Sequence, residues 1–221
     1  MMMNLFSVFD PSVGGFQLNW LSLLLVYLFV PVTFYLLSGG VSSVLITLLK
    51  GIGNSLKEIV FPFYTALMIL GLGVFFYMML NNLLGLFAFI FTSTAHPVFT
   101  IAVGLVYWVA FMIMGWFKSF TKCAAHLVPE GSPLVLSPLL VLIELISHMI
   151  RPFTLSIRLA ANMMAGHLIM GLLSSISMVS SLSFLVSIFL QMVLFLLEVA
   201  VALIQGLVFS ILMLLYAVEF Y

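Results

Sequence analysis

The sequence predicts an all-α integral membrane protein. It should contain about three membrane-spanning helices, a helix lying at the membrane surface, and a long, strongly inclined two-helix hairpin at the C-terminal end. Three observations carry this. Of 221 residues, 65% are hydrophobic and 5% charged, and the mean hydropathy is +1.40, far beyond what a water-soluble core requires. Several apolar stretches reach the roughly 20 residues that a helix needs to cross about 30 Å of hydrocarbon. The apolar/polar alternation of a lipid-facing barrel strand is absent.

The elements follow in order within a single membrane domain, residues 1–221. The first span covers 18–37, led by Asn19 and Trp20 at an interface and ended by Ser38, Gly39 and Gly40. Residues 41–60 are less apolar and hold Lys50, Lys57 and Glu58 toward one end, the pattern of a surface helix. A second span, 62–91, follows Pro62, is interrupted by Gly71, Gly73, Asn81 and Asn82, and closes on the turn from Thr92 to Pro97. The third, 98–117, ends on Trp116 followed by Lys118 and Lys122, an aromatic and basic anchor. A connector with three prolines, from His126 to Pro138, leads to two apolar arms, 134–173 and 182–216, joined by a Ser-rich stretch. At 1.5 Å per residue the first arm is roughly 60 Å long, about twice the hydrocarbon thickness. Tilt alone would have to reach about 60° to absorb that, so the pair should lie strongly inclined in the membrane.

All four lysines, Lys50, Lys57, Lys118 and Lys122, fall on the face reached after one or three crossings. The positive-inside rule makes that face the inner one and puts the N-terminus outside. Met1 to Asp10 show no basic region before an apolar segment and no small-residue cleavage site, so insertion without cleavage is expected. The single cysteine, Cys123, allows no intrachain disulfide, and no ligand spacing for a metal or haem appears. Phosphate-cradling glycine motifs and nucleic-acid-binding basic runs are likewise missing. No cofactor and no nucleic-acid partner are expected; the energy source must be an ion gradient or a partner protein.

Chemistry concentrates in the hairpin. At about 100° per residue, Glu144, His148, Arg151, Arg158 and Asn162 lie within an arc of roughly 80°, one polar stripe along an apolar helix. His167 is turned about 140° from Asn162 and faces another wall. In the second arm Gln191, Glu198 and Gln205 recur every seven residues, drifting only about 20° per step. Antiparallel packing about the Ser-rich turn would level Glu144 with Glu219, Arg158 with Gln205, and His167 with Glu198. Two readings of the polar groups stand: hydrogen bonds that hold two helices together, or stations of an ion path. Arginine at a helix centre costs about 2.5 to 3.5 kcal/mol on insertion scales and favours the second for Arg158. Arg151, beside the helix-breaking Pro152, has the simpler option of snorkelling at a kink. Two histidines with two carboxylates on facing helices suit proton relays open to water. A secondary transporter could use the same charges, but the chain shows no internal repeat or paired broken helices.

The motifs are Glu144-Leu-Ile-Ser-His-Met-Ile-Arg-Pro, continuing to Arg158-Leu-Ala-Ala-Asn-Met-Met-Ala-Gly-His167, and Leu197-Glu198-Val-Ala-Val-Ala-Leu-Ile-Gln205. With Asn82-Leu-Leu-Gly-Leu86 and His126-Leu-Val-Pro-Glu-Gly-Ser-Pro133 they span most of the chain. The sequence resembles subunit a of the rotary F-type ATP synthase, also called ATP synthase subunit 6, in its animal mitochondrial form. His148 and Phe153 depart from the commoner residues at their positions. The resemblance implies a proton-translocating stator subunit of the membrane Fo sector in the mitochondrial inner membrane. Such a subunit binds no nucleotide and carries no site for ATP chemistry. Its implied partners are a ring of c subunits, the peripheral stalk, other Fo membrane subunits and the lipid bilayer, with H⁺ as the transported ion. It also implies roles: Arg158 as the stator charge facing a c-ring carboxylate, with Gln205 beside it. His167 and Glu198 would form the outer half-channel with Asn162 near its junction, and Glu144 and Glu219 the inner one, to which His148 is a candidate addition.

Overall fold

A computed structural model describes residues 5–12, 15–29, 40–60, 65–87, 90–118, 120–128, 136–178 and 180–220. Among these the chain is helical and has no β-strand. Helix is the form that water-free hydrocarbon permits, because each backbone N–H finds its acceptor within its own segment.

After a 3-10 turn at Leu18–Leu21, α1 runs Ser22–Phe29; residues 30–37 of the expected first span lie outside the described residues. Helix α2, Gly40–Val60, is two-faced. Ser43, Thr47, Lys50, Asn54 and Lys57 form an exposed stripe, while Gly53 and Leu56 are buried against α3 at Met68 and Leu72. Helix α3, Thr65–Gly85, stops short of residue 91. The chain folds back after Gly85 so that the Thr92 side chain lies on it, 3.2 Å from where a Cβ would stand. A 3-10 turn, Ser93–Ala95, buries Ser93, Thr94 and Ala95 and leads into α4, Pro97–Lys118, with proline at the first position, where its missing N–H costs nothing. Helix α5 is short, Phe120–His126.

Helices α6, Ser137–Ser177, and α7, Ser181–Phe220, are the longest, 41 and 40 residues. Among the described residues four helices, α3, α4, α6 and α7, are long and apolar enough to cross a membrane. The turn between α6 and α7 is tighter than the Ser-rich composition predicts. Ser174, Ser175 and Ser177 each donate to the carbonyl three residues back, so they extend α6 instead of ending it. Ser180 then caps α7: its Oγ accepts from the Ser183 N–H at 3.2 Å, and Ser183 Oγ accepts from the Ser180 N–H at 2.9 Å, a reciprocal box. Pro152 lies within α6 without ending it, and Ser156 Oγ donates to the Pro152 carbonyl at 2.8 Å.

Packing relies on small residues, since lipid gives helices little hydrophobic reason to associate. A Cβ on Gly104 of α4 would lie 2.5 Å from Ser156 Oγ on α6; one on Gly71 of α3 would lie 2.7 Å from Leu214 on α7. A Cβ on Gly206 of α7 would lie 3.4 Å from the backbone of Met79 on α3. Around these approaches Leu56, Met78, Phe111, Leu155, Leu159, Phe209 and Leu214 form the main core. Asn82 of α3 donates to the Ala202 carbonyl of α7 at 3.4 Å, a polar tie between the same two helices.

Gly104→Ala tests the closest α4–α6 approach. The added methyl is expected to destabilise the fold by about 1–3 kcal/mol, read as a lower thermal midpoint in detergent, and Ser156→Ala is expected to restore part of the loss by removing the colliding hydroxyl.

Candidate functional site

The α6–α7 pair is antiparallel, and its contacts set the register of every polar group between the arms. Arg151 meets Tyr216, Asn162 meets Gln205, Gly166 meets Glu198, and Met170 and Ser174 face Gln191 and Ile188 across a cleft. On α6 these levels span 23 residues, about 35 Å along the axis. The order of layers is the one expected from the sequence, but Gln205 bonds Asn162, one turn beyond Arg158.

At the end of the pair nearer the termini of both arms, Glu144 is the centre of a cluster. His148 Nε2 lies 3.4 Å from Glu144 Oε1, and Arg151 Nη2 lies 3.8 Å from the same oxygen. His148 is buried; Glu144 and Arg151 are each about one-third exposed. The side chain of Glu219, expected at this level, lies outside the described residues.

Toward the turn a second cluster forms. The amide of Asn162 donates to Gln205 Oε1 at 3.4 Å. The carboxyl of Glu198 is buried, and its Oε1 occupies the space that a side chain on Gly166 would fill. His167, the next residue, packs its ring edge-on against Phe9 at 6.5 Å. Several atoms here are buried without a hydrogen-bond partner: His167 Nε2, both carboxyl oxygens of Glu198, Gln205 Nε2 and Asn82 Oδ1. Native proteins pair nearly all such atoms with protein or ordered water. Here that leaves a group of polar atoms which water would have to satisfy.

Arg158 lies between the clusters, about 10 Å along α6 from Arg151 and about 13 Å from His167. It is exposed, and among the described residues its guanidinium makes no hydrogen bond or ion pair. Its face of α6 is uncovered, with Ile157, Ala161 and Ala165 exposed beside it; on α7, Leu196, Ala200, Leu203 and Ile204 form a similar open stripe. Among the described residues no three His, Cys, Asp or Glu side chains converge as a metal ion would need.

Sequence reasoning missed Gly166 and Tyr216. A glycine inside a helix costs about 1 kcal/mol relative to alanine, and its place beside His167 was the available signal for Gly166. For Tyr216 there was none, because its role depends on which side of α7 meets Arg151. Asn82, which the sequence offered as a polar interruption of the second span, is a helix contact.

Residues 16–218 match the family model of the ATP synthase A chain. Among similar proteins, ATP synthase subunit a of Locusta migratoria is 43% identical over 228 residues, covering 100% of both chains. That of Artemia franciscana is 42% identical over 220 residues, covering 99% of this chain and 100% of the relative. That of Anopheles quadrimaculatus is 42% identical over 224 residues, covering 99% of each. With a family match that takes in both polar clusters and relatives aligned from end to end, this chain belongs to the ATP synthase A chain family.

Proposed function

We propose that Arg158 separates two half-channels, an outer one past His167 and Glu198 and an inner one past Glu144, through which protons load and unload the carboxylates of a c-subunit ring. Family membership makes the chain a proton-translocating membrane subunit of ATP synthase, and the animal relatives and apolar helices make it a multi-pass protein of the mitochondrial inner membrane. The observation that carries the finer reading is the contrast along α6. Arg158 stands exposed and unpaired among the described residues on an uncovered face, while the polar groups on either side of it are paired or buried.

The ends of the fold support the two directions. His167 packs on Phe9 near the N-terminus, on the side read as the intermembrane space. His148 shares a cavity wall with Trp116 and Cys123, beside Lys118 on the side read as the matrix, where the C-terminus also lies. Helices of 41 and 40 residues in register over about 35 Å exceed the hydrocarbon thickness and suit an inclined hairpin. The exposed lysine stripe of α2 suits a helix at the inner surface.

In this mechanism a proton enters by His167 and Glu198 and passes to a ring carboxylate, which moves off into lipid neutral. After nearly a full turn the site delivers its proton toward Glu144. A guanidinium stays charged at any physiological pH. An arriving ring carboxyl must therefore be ionised to pass Arg158, and a bare proton cannot leak between the half-channels. At 4 Å two unit charges attract by about 4 kcal/mol at an effective dielectric near 20, against about 2.3 kcal/mol per charge per 100 mV of driving force. A bare contact would hold the ring. In this reading the contact is hydrated or buffered by Gln205, whose amide nitrogen is buried without a partner among the described residues. The peripheral stalk and the other Fo subunits would hold the chain still against the rotating ring.

Arg158→Lys, which trades a planar fork for a point charge able to lose its proton, is expected to abolish ATP synthesis driven by an imposed gradient in the assembled complex; sustained synthesis by that variant would refute the separator role. Exchange of His167 or Glu198 for leucine should slow proton entry while the complex still assembles, and unchanged passive proton uptake through the Fo sector would count against the outer half-channel. Gly166→Ala puts a methyl where the Glu198 carboxyl sits and should cut the same uptake by about tenfold, without touching either titratable residue.

A further inference from the structure

Arg151 has no task in the half-channel reading, yet it is held from two sides. Its Nη2 lies 3.8 Å from Glu144 Oε1, and its Cζ stands 5.7 Å from the centre of the Tyr216 ring on α7. Glu144 and Arg151 are seven residues apart, about 10 Å along a regular helix. Their charged ends meet only because both side chains lie along the axis, and this orders two otherwise flexible groups. An aromatic face is a favourable seat for a guanidinium and restrains it further. His148 reaches the same Glu144 oxygen at 3.4 Å, so two donors converge on Oε1.

Two spaces adjoin this cluster. Behind His148 a small, mostly apolar cavity of about 80 Å³ is lined by Trp108, Met112, Trp116, Leu145 and other residues. On the α7 side a cleft of about 510 Å³ is lined by Arg151, Leu212, Leu215, Tyr216 and Val218. Of the two, the cleft has the charged wall and the room for a chain of waters.

The geometry points to Arg151 as a positioning residue of the inner half-channel: seated on Tyr216, it joins His148 in holding Oε1 of Glu144, so that Oε2 carries the departing proton into the α6–α7 cleft. This rests on the reading of Glu144 as the inner station. The transfer balances: an O–H bond of the ring carboxyl breaks as one forms at Oε2, and that proton then passes to water in the cleft, restoring the carboxylate. The same engagement separates two arginines that lie one heptad apart on nearly one face. Arg151 is already matched by Glu144, so a passing ring carboxylate meets its free cation at Arg158.

The test uses the assembled complex, reading ATP synthesis per complex under an imposed gradient. Arg151→Gln is expected to lower it about three- to tenfold. Arg151→Lys should recover much of the loss by keeping a cation within reach of Glu144, and Tyr216→Leu should fall further than Tyr216→Phe, which keeps the ring face. Adding Arg151→Gln to Glu144→Gln should lower synthesis no further, because the first acts through the second. Wild-type synthesis by Arg151→Gln, losses that multiply in the double variant, or equal behaviour of the two Tyr216 variants overturns the positioning role and leaves Glu144 in its place. Wild-type synthesis by Glu144→Gln alone overturns the inner-station reading and this proposal with it.

Discussion

A guanidinium cannot give up its charge to enter hydrocarbon, and placing one midway along an apolar helix costs about 2.5 to 3.5 kcal/mol even where side-chain and lipid adjustments help. The α6–α7 pair is arranged around that cost. Arg158 is left exposed, flanked by Ala161 and Ala165, whose small side chains let another surface approach the charge closely. Isolated in lipid such a face is unfavourable; opposite a carboxylate carried by another protein it is completed. Arg158 has no ionic partner among the described residues, and the proposed encounter with a ring carboxylate would supply one.

The same constraint shapes the packing. A charge that must meet a moving partner has to be held by a rigid wall, and in lipid that wall is made by close helix approach and interhelical hydrogen bonds. Gly71, Gly104 and Gly206 provide the approach, and Asn82 to Ala202 and Asn162 to Gln205 provide the bonds. Helix α7 is thereby fastened to α3 on one side and α6 on another, so that Glu198 and Gln205 are buried between walls whose spacing backbone contacts fix. Rigidity in this region is a condition for proton transfer, which fails when donor and acceptor are misplaced by about 1 Å.

Helix existence was legible because hydropathy and length are summed over many residues: α3, α4 and both hairpin arms fall where the apolar stretches lie. The arc joining Glu144, His148 and Arg151 was legible too, since helical periodicity alone places them together, and the contacts at 3.4 and 3.8 Å follow it. Details that depend on one backbone meeting another were not. The Ser-rich stretch reads as a loop by composition, yet most of its serines bond to carbonyls of their own helix, and only the cap at Ser180 makes the turn. The partner of Gln205 turned on a one-turn difference of register that residue counting cannot resolve. Gly166 carries no side chain to suggest a role; its meaning appears only when the Glu198 carboxyl is found in the space it leaves.

Two arginines one heptad apart pose a problem of discrimination, since by charge alone either could arrest a passing carboxylate. Their surroundings resolve it. Arg151 is about one-third exposed and engaged by Glu144 and Tyr216, so its field at a distance is largely that of an ion pair, which falls off faster than that of a lone charge. Arg158 has neither carboxylate nor ring beside it among the described residues, and in a medium of low dielectric its unmatched field reaches well beyond contact. In the proposed mechanism the side chain with the fewest internal bonds is thus the one to which a ring carboxylate would be drawn. Pairing Glu144 with the other arginine keeps that distinction intact even though both cations share one helix.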